Sequence, residues 1–271
     1  MAQIDDIIVS QAIIERFTDR LKENLNLDVA IVGAGPAGMV ASYYLAKMGY
    51  KVAVFERKLS VGGGMWGGGM MFNIIVVQED ALEVLKEFGI IYEPYDEPGY
   101  YTACAVHTMS TLTSRATAVG ATVFNAVTVE DVAWDGARVN GVVINWSAVD
   151  VAGLHVDPLT VRANYVIDAT GHDCEVVSTL VRKNGVKLAT PTGDVAGERS
   201  MFAIRGEQDV VANTREVYPG LFVAGMAANA AFGGQRMGPI FGGMLLSGKR
   251  VAELIHQALS GSSAGDVSEA M

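Results

Sequence analysis

The stretch Asp28-Val-Ala-Ile-Val-Gly-Ala-Gly-Pro-Ala-Gly38 decides the fold of this chain. The apolar residues that follow Asp28 suit a buried strand, and Gly33, Gly35 and Gly38 then have the spacing of a dinucleotide-binding loop. In such a loop Gly33 permits the tight turn, Gly35 lets a pyrophosphate approach the backbone, and Gly38 lets helix and strand pack closely. The alternative to this interpretation is a glycine-rich turn that binds nothing.

The residues after the loop complete a βαβ unit of about 30 residues. An alanine-rich helix is predicted over 39–48, and the free N–H groups at its start would face the phosphates. A second strand is predicted over 51–55 and is closed by Glu56. Glu56 would accept hydrogen bonds from ribose hydroxyls and would repel a 2′-phosphate, which favours NAD or FAD over NADP.

The rest of the chain predicts a single domain over 1–271. The expected class is a Rossmann-like, three-layer, flavoprotein-like α/β fold with a β-meander insertion around 121–149, where Asp135-Gly136 marks a hairpin. Strands are predicted at 165–171 and 221–225, and loops at 149–158 and 183–199, the latter a mobile lid. Helices are predicted over 5–25, 79–88, 110–119 and from 233–236 to 259, followed by a disordered tail over 260–271.

Composition excludes several classes of function. The net charge is -10 and no Lys/Arg cluster stands out, so a nucleic-acid partner is not expected. No apolar stretch is long enough for a membrane span, and the N-terminus opens with acids rather than a basic signal, so a cytoplasmic protein is expected. The two cysteines, Cys104 and Cys174, have neither CxxC nor zinc spacing and are expected to be reduced.

The layout is similar to that of a large class of flavoproteins, which share its βαβ start, β-meander, Ala-Thr-Gly strand end and late Leu-Phe-Val-Ala-Gly strand. In those proteins an Asp follows the last motif and binds the flavin ribityl chain. Met226 stands there in this chain, and a thioether cannot replace a carboxylate acceptor. An FAD-dependent oxidoreductase and a non-catalytic NAD-binding scaffold therefore stay open as alternatives to the interpretation below.

Three further motifs narrow the function. They are Leu154-His-Val-Asp-Pro158, Gly171-His-Asp173 and Gly234-Gln-Arg-Met-Gly-Pro-Ile-Phe-Gly-Gly243. Together they resemble the thiamine thiazole synthase family, in its archaeal-type, sulfide-using branch, over nearly the whole chain. The resemblance implies that NAD is a co-substrate, which is cleaved, condensed with glycine and combined with sulfide to give an adenylated thiazole carboxylate in the presence of Fe(II).

The same resemblance implies the roles of individual residues. Arg236 would hold the glycine carboxylate, while Asp157 and His172 would ligate Fe(II) with His155 beside them. The NAD site would be formed by Gly33, Gly35, Ala37, Gly38, Glu56, Arg57, Gly64, Val129, His155, Val156, Asp157 and Met226. The family also implies a homo-octamer whose sites are shared between neighbouring chains.

Elementary chemistry fits these implied roles. An imidazole and a carboxylate leave open positions on Fe(II), and a guanidinium matches a carboxylate bidentately. Arg236 is expected at the entrance of the C-terminal helix, where the dipole would attract anions. His107 and His256 belong to no motif and are expected to be structural. His155 has no sulfur to donate, so an external sulfide is expected, with Cys174 as the alternative donor.

Overall fold

The computed structural model describes residues 4–265 of the 271 in the chain. Eleven strands, numbered in chain order, lie in this range: β1 (Asn26–Val32), β2 (Val52–Glu56), β3 (Ile74–Gln78), β4 (Tyr92–Pro94), β5 (Tyr100–Cys104), β6 (Thr122–Asn125), β7 (Val127–Trp134), β8 (Val139–Trp146), β9 (Leu159–Asp168), β10 (Arg215–Tyr218) and β11 (Leu221–Val223). The α-helices of the same range are α1 (Asp6–Glu23), α2 (Pro36–Lys47), α3 (Leu82–Phe88), α4 (Ala105–Ala118), α5 (Ser147–Val151), α6 (Glu175–Asn184), α7 (Ala203–Asn213), α8 (Met226–Phe232) and α9 (Gly242–Gly265).

A mixed eight-stranded sheet forms the centre, in the order β10-β11-β9-β1-β2-β6. Strands β11, β9, β1, β2 and β6 are parallel, and β10 joins the edge in the antiparallel sense. Strand β8 pairs antiparallel with β9, and β7 with β8, so that these three strands form the β-meander. A separate antiparallel sheet has the order β3-β5-β4.

The two faces of the central sheet support two separate cores. Alternate residues of β1 point to opposite faces: Val29 and Ile31 pack in one core with α2, α4 and α9, while Ala30 and Val32 pack in the other with α6, α8 and the meander. All four side chains are buried. Helices therefore cover both faces of a mostly parallel sheet, which confirms the Rossmann-like, three-layer α/β class.

The βαβ unit forms where the sequence predicts it. Helix α2 begins at Pro36, earlier than predicted, because the ring of a first-turn proline fixes a helical φ and its missing N–H is not needed there. The chain leaves α2 through Gly49, which has a φ of +91°. The hairpin at Asp135-Gly136 also forms, since the Asp135 carboxylate accepts from the N–H groups of Ala137 and Arg138 at 2.9 Å.

Several predicted boundaries are wrong. The meander spans β7 to β9, and β6 belongs to the parallel sheet instead of the insertion. The loop predicted over 149–158 begins inside α5. The predicted lid over 183–199 overlaps the end of α6, and the rest of it is hydrogen-bonded to neighbouring elements, for example from Ala189 N–H to the Val217 carbonyl at 2.8 Å.

The C-terminal helix also differs from the prediction. Residues 233–236 do not lead directly into it, because Gly233 and Gly238 have φ values of +74° and +77° and keep the chain irregular until α9 begins at Gly242. The helix then continues to Gly265, so the first half of the tail predicted as disordered is helical. Residues 266–271 of that predicted tail lie outside the described residues. None of the described helices is both long and apolar enough to cross a membrane.

A buried carboxylate, Glu207 of α7, lies against the start of α9. Its Oε2 atom accepts a 2.5 Å hydrogen bond from the Gly243 N–H, and its Oε1 atom has no hydrogen-bond partner among the described residues. The residue is only 7% exposed. Burial raises the pKa of Glu207 from 4.5 to about 7, and the single backbone hydrogen bond offsets this only in part.

This raised pKa predicts a pH-dependent stability. The neutral carboxyl favours the fold, so its contribution is complete below the unfolded-state pKa and is lost as the pH rises through about 7. We expect a loss of up to about 3 kcal/mol as the pH rises from about 4.5 to about 7. The substitution Glu207→Gln should remove this slope, measured as the melting temperature against pH. Glu253→Gln, which changes an exposed carboxylate of α9, should leave it; equal slopes for all three proteins would contradict the assignment.

Candidate active site

One cavity of about 610 Å³ opens at the carboxyl ends of β1, β2 and β9. Ligands of open α/β sheets bind at this edge of the sheet. Ten of the residues singled out from the sequence line the cavity: Gly33, Gly35, Ala37, Glu56, Arg57, Gly64, Val129, His172, Met226 and Arg236. The structure thus gathers most of the predicted site into one space, although these residues come from widely separated parts of the chain.

The three glycines of the loop are needed for different steric reasons. A Cβ on Gly33 would lie 2.4 Å from the Ala169 carbonyl oxygen, and its φ is +100°. A Cβ on Gly38 would lie 2.1 Å from the Gly33 carbonyl oxygen. A Cβ on Gly35 would meet nothing within 4 Å, because this residue faces the cavity. Gly38 therefore makes the packing contact behind the cavity wall, and Gly35 presents open backbone to a ligand.

Glu56 is built into the wall of the cavity. It is 7% exposed, and its two carboxylate oxygens accept from the N–H groups of Ala34 at 2.9 Å and Lys58 at 2.8 Å. Each oxygen keeps a second lone pair for a ribose hydroxyl. The side chain thus connects the end of β2 to the glycine loop and is also available to a ligand.

The glycine run at 61–69 is an organised segment. The Gly62 N–H donates to the Ala34 carbonyl at 2.8 Å, and the Trp66 indole donates to the Val61 carbonyl at 2.6 Å. A 3₁₀-helix over Met65–Gly67 follows, with Met65 fully buried. These contacts hold Gly64 in the cavity wall.

Arg57 is held by two acidic residues, Asp173 of the Gly171-His-Asp173 motif and Glu175, which belongs to none of the motifs. Its guanidinium forms an ion pair with Glu175 and lies 3.8 Å from the Asp173 carboxylate. Both acids line the cavity. The pair joins the end of β2 to the turn that carries His172, which lies between β9 and α6.

The turn before α6 is fixed by a buried carboxylate. Asp168, at the end of β9, is fully buried and accepts from the Thr170 N–H at 3.0 Å, the Thr170 hydroxyl at 2.6 Å and the N–H groups of Val176 and Val177 at 3.0 Å. It satisfies the free N–H groups at the start of α6. The rigid turn that results presents His172 at the cavity.

His172 is half exposed and has one protein partner. Its Nδ1 atom lies 2.8 Å from both carboxylate oxygens of Glu198. Glu198 is 26 residues further along the chain and belongs to none of the motifs. Its backbone segment runs beside residues 234–236, where the Arg199 N–H donates to the Gly234 carbonyl at 2.9 Å.

Arg236 also lines the cavity, and its backbone is fixed while its side chain is free. Its N–H donates to the Arg199 carbonyl at 3.2 Å, and its carbonyl accepts from the Phe202 N–H at 3.0 Å. In the part of the chain that the structure describes, no ion pair or hydrogen bond engages the guanidinium. Because α9 begins only at Gly242, the dipole argument for Arg236 at a helix entrance is wrong. Among the described residues, the guanidinium is an unpaired cation at the cavity wall.

The 155–157 stretch lies elsewhere. His155, Val156 and Asp157 are exposed, and Val156 and Asp157 line a second cavity of about 130 Å³ with Phe17, Leu21 and other apolar residues. Neither these three residues nor Gly38 lines the larger cavity. Within residues 4–265, no group of three or more His, Cys, Asp or Glu side chains is arranged to hold a metal. A single chain therefore does not bring Asp157 and His172 into one cavity.

The remaining histidines each have a hydrogen-bond partner. The His107 Nε2 atom accepts from the Ile91 N–H at 3.2 Å, and His256 lies 2.7 Å from the Tyr50 hydroxyl. Both cysteines are free, Cys104 exposed and Cys174 buried. Burial raises the pKa of the Cys174 thiol far above its usual range, and its Sγ atom contacts the Ala227 carbonyl at 3.4 Å.

Comparison with known proteins gives consistent matches. A model of the Thi4 family matches residues 10–241. The chain is 59% identical to the thiamine thiazole synthase of Methanothermobacter thermautotrophicus, over 95% of this chain and 99% of that protein. It is 54% identical to the thiamine thiazole synthase of Pyrococcus horikoshii, over 94% and 98% of the two chains. The crystal structure of THI4 from Thermovibrio ammonificans superimposes with a TM-score of 0.92 at 55% identity, covering 96% of this chain and 100% of that one.

The environments of the two cysteines predict unequal reactivity. The thiolate is the reactive form, so a buried thiol with a raised pKa should not react with iodoacetamide at about pH 8. We expect mass spectrometry of the native protein to find the label on Cys104 alone. Unfolding in guanidinium chloride should make both cysteines react. Equal labelling of Cys174 in the folded protein would contradict its assigned burial.

Proposed function

The chain belongs to the Thi4 family and is an enzyme that makes the thiazole for thiamine; from this premise we propose that it builds the ring from NAD, glycine and sulfide with Fe(II). The observation that carries the proposal is the single cavity that joins a dinucleotide loop to a histidine and an unpaired arginine. Family membership favours this function over an FAD-dependent oxidoreductase and over a non-catalytic scaffold.

The glycine loop is proposed to hold the pyrophosphate of NAD, and Glu56 is proposed to hold the ribose hydroxyls. Gly35 offers backbone without a side chain, and α2 begins one residue later, so its free N–H groups and partial positive charge can meet the pyrophosphate. The Glu56 oxygens retain lone pairs for the ribose hydroxyls, and their charge disfavours a 2′-phosphate. Ala37, Arg57, Gly64, Val129 and Met226 then surround the remainder of the molecule.

Arg236 is proposed to bind the glycine carboxylate. Its guanidinium is unpaired in the described chain, and a planar fork of donors matches a carboxylate through two parallel hydrogen bonds. The backbone on both sides of the residue is held by Arg199 and Phe202. The residue is therefore held at the cavity wall, with a charge that no described side chain neutralises and that is available to an anionic substrate.

His172 and Asp157 are proposed to hold the iron. His172 fits this role because Glu198 engages its Nδ1 atom and leaves Nε2 for a metal. When bound there, Fe(II) would supply a Lewis-acidic centre with open positions for sulfide. His172 and the exposed Asp157 lie at different cavities, so we propose that Asp157 of one copy completes the site of a neighbouring copy, with His155 beside it.

Helix α1 supports an assembled enzyme. None of its side chains is buried, and Ile7, Ile8, Ile13 and Ile14 are each more than 60% exposed. A single chain therefore does not bury this helix. The helix adjoins the second cavity through Phe17 and Leu21. We propose a homo-oligomer, the octamer of the resemblance, in which a second copy covers this apolar face.

A shared site predicts complementation between inactive variants. Asp157→Ala and His172→Ala should each abolish thiazole formation, and hetero-oligomers obtained by co-expressing them should recover about a quarter of the wild-type rate, since random mixing leaves that share of sites with both ligands. Product formation is measured by chromatography of the purified hetero-oligomers. Co-expression of Asp157→Ala with the double variant is the control and should stay inactive. No recovery in the test pair would contradict the shared site.

The environment of the Cys174 thiol bears on the source of the sulfur atom. His155 has no sulfur, and Cys174 is buried behind the cavity with a raised thiol pKa. A buried neutral thiol is a poor nucleophile. We therefore propose that sulfide from solution is the donor and that the protein is not consumed.

Multiple turnover is the consequence. With NAD, glycine, Fe(II) and sulfide under anaerobic conditions, we expect more than one product molecule per chain and an unchanged intact mass afterwards. Cys174→Ala should keep this activity, and Cys104→Ala serves as its matched control. A ceiling of one product per chain, or the loss of one sulfur atom with Cys174 converted to dehydroalanine, would make Cys174 the donor instead.

A further inference from the structure

In the hydrogen bond between His172 and Glu198, the imidazole is the donor and the carboxylate is the acceptor. A carboxylate can only accept, so the Nδ1 atom of His172, 2.8 Å from both Glu198 oxygens, must carry the proton. In the neutral imidazole the other nitrogen, Nε2, is then unprotonated and has a free lone pair. The contact therefore selects one of the two tautomers of a residue that lines the cavity.

Glu198 is held more firmly than an ordinary surface carboxylate. Its side chain is 16% exposed, compared with 52% for that of His172. The Gly197 N–H donates to the Ala230 carbonyl and the Arg199 N–H to the Gly234 carbonyl, each at 2.9 Å. The backbone is thus fixed on both sides of Glu198, and its mostly covered side chain has less conformational entropy to lose in this contact than the side chains of an exposed ion pair.

The same segment also carries the contacts to Arg236. After Glu198, the carbonyl of Arg199 accepts from the Arg236 N–H, and the N–H of Phe202 donates to the Arg236 carbonyl. One short stretch, residues 197–202, therefore contacts the imidazole through a side chain and the arginine through the backbone. This stretch therefore connects the backbone of Arg236 to the side chain that contacts His172.

We propose that Glu198 is a positioning residue that fixes the Nδ1–H tautomer and the ring orientation of His172, with Nε2 available to a ligand. The role of that nitrogen as an iron ligand rests on the proposed function, whereas the tautomer does not. A carboxylate on the far nitrogen of a metal-binding histidine typically changes metal affinity by about 10- to 100-fold. Glu198 itself touches neither substrate nor metal in this scheme.

The tautomer can be measured in the metal-free protein. The chain has four histidines, so long-range ¹H–¹⁵N spectra of histidine-labelled protein are simple, and the His172→Ala variant identifies the signal of interest. At a pH where the imidazole is neutral, we expect Nε2 of His172 to be unprotonated in the wild type. Glu198→Ala should lose this preference, and Glu198→Gln, whose amide oxygen can still accept, should keep much of it. An unchanged His172 tautomer in Glu198→Ala would overturn the proposal.

A measurement of iron binding distinguishes a failure of the positioning role of Glu198 from a failure of the proposed iron site. Anaerobic titration with Fe(II) alone should show about 10- to 100-fold weaker binding for Glu198→Ala, a smaller loss for Glu198→Gln, and no binding for His172→Ala. Glu87→Gln is the matched control, because it removes a carboxylate that pairs with Lys47 away from the cavity. Iron binding that survives in His172→Ala would refute the iron site but leave the tautomer result as the test of Glu198. Wild-type affinity in Glu198→Ala, with none in His172→Ala, would refute the positioning role.

Discussion

The close approach of Gly38 to the Gly33 carbonyl is the constraint on which the rest of the site depends. A single Cβ at Gly38 would lie 2.1 Å from that oxygen, so helix α2 can start directly behind β1 only without a side chain there. The neighbouring backbone then holds three parts of the cavity wall. Ala34 donates to Glu56 and accepts from Gly62, and Gly33 packs on the backbone that follows β9. Widening this turn would displace all three parts together.

The central unit of the fold could be predicted because its signals are local. An apolar run, a glycine spacing and an acid lie within 30 residues, and the structure keeps all of them. The antiparallel sheet β3-β5-β4 and helices α6 to α8 were missed because their signals are not local. Helix α7 begins at Ala203, and its N-cap residue Phe202 makes no side-chain capping hydrogen bond. Helix α6 begins after Cys174, which has a left-handed conformation, and Asp168 accepts from N–H groups in its first turn. Such starts depend on tertiary contacts, which no window of sequence contains.

The candidate site likewise contains residues that could be predicted from local sequence and residues that could not. The residues of the glycine loop and the end of β2 are fixed by their own neighbours, and ten predicted residues do line one cavity. Glu198 could not be found from the sequence, because it reaches His172 across 26 residues and no spacing rule connects them. The ion pair between Arg57 and Glu175 likewise could not be predicted, because it forms only when β2 and α6 lie side by side in the fold. Supporting residues such as Glu198 and Glu175 come near the site only when the chain folds. The residue His172, which Glu198 supports, lies in a sequence motif and could therefore be predicted.

The separation of His172 from Asp157 and the exposure of α1 have a common explanation under the proposed assembly. One chain offers an imidazole at the larger cavity, a carboxylate at the smaller one and, beside that carboxylate, helix α1, whose isoleucines are more than 60% exposed in the described chain. Burial of these isoleucines by a second copy would be driven by the hydrophobic effect, which needs no substrate. The ligand set would then be completed only in the assembled protein. Because a lone imidazole binds Fe(II) weakly, a free chain would have little capacity to bring iron and sulfide together, and the chemistry would be confined to the assembled enzyme.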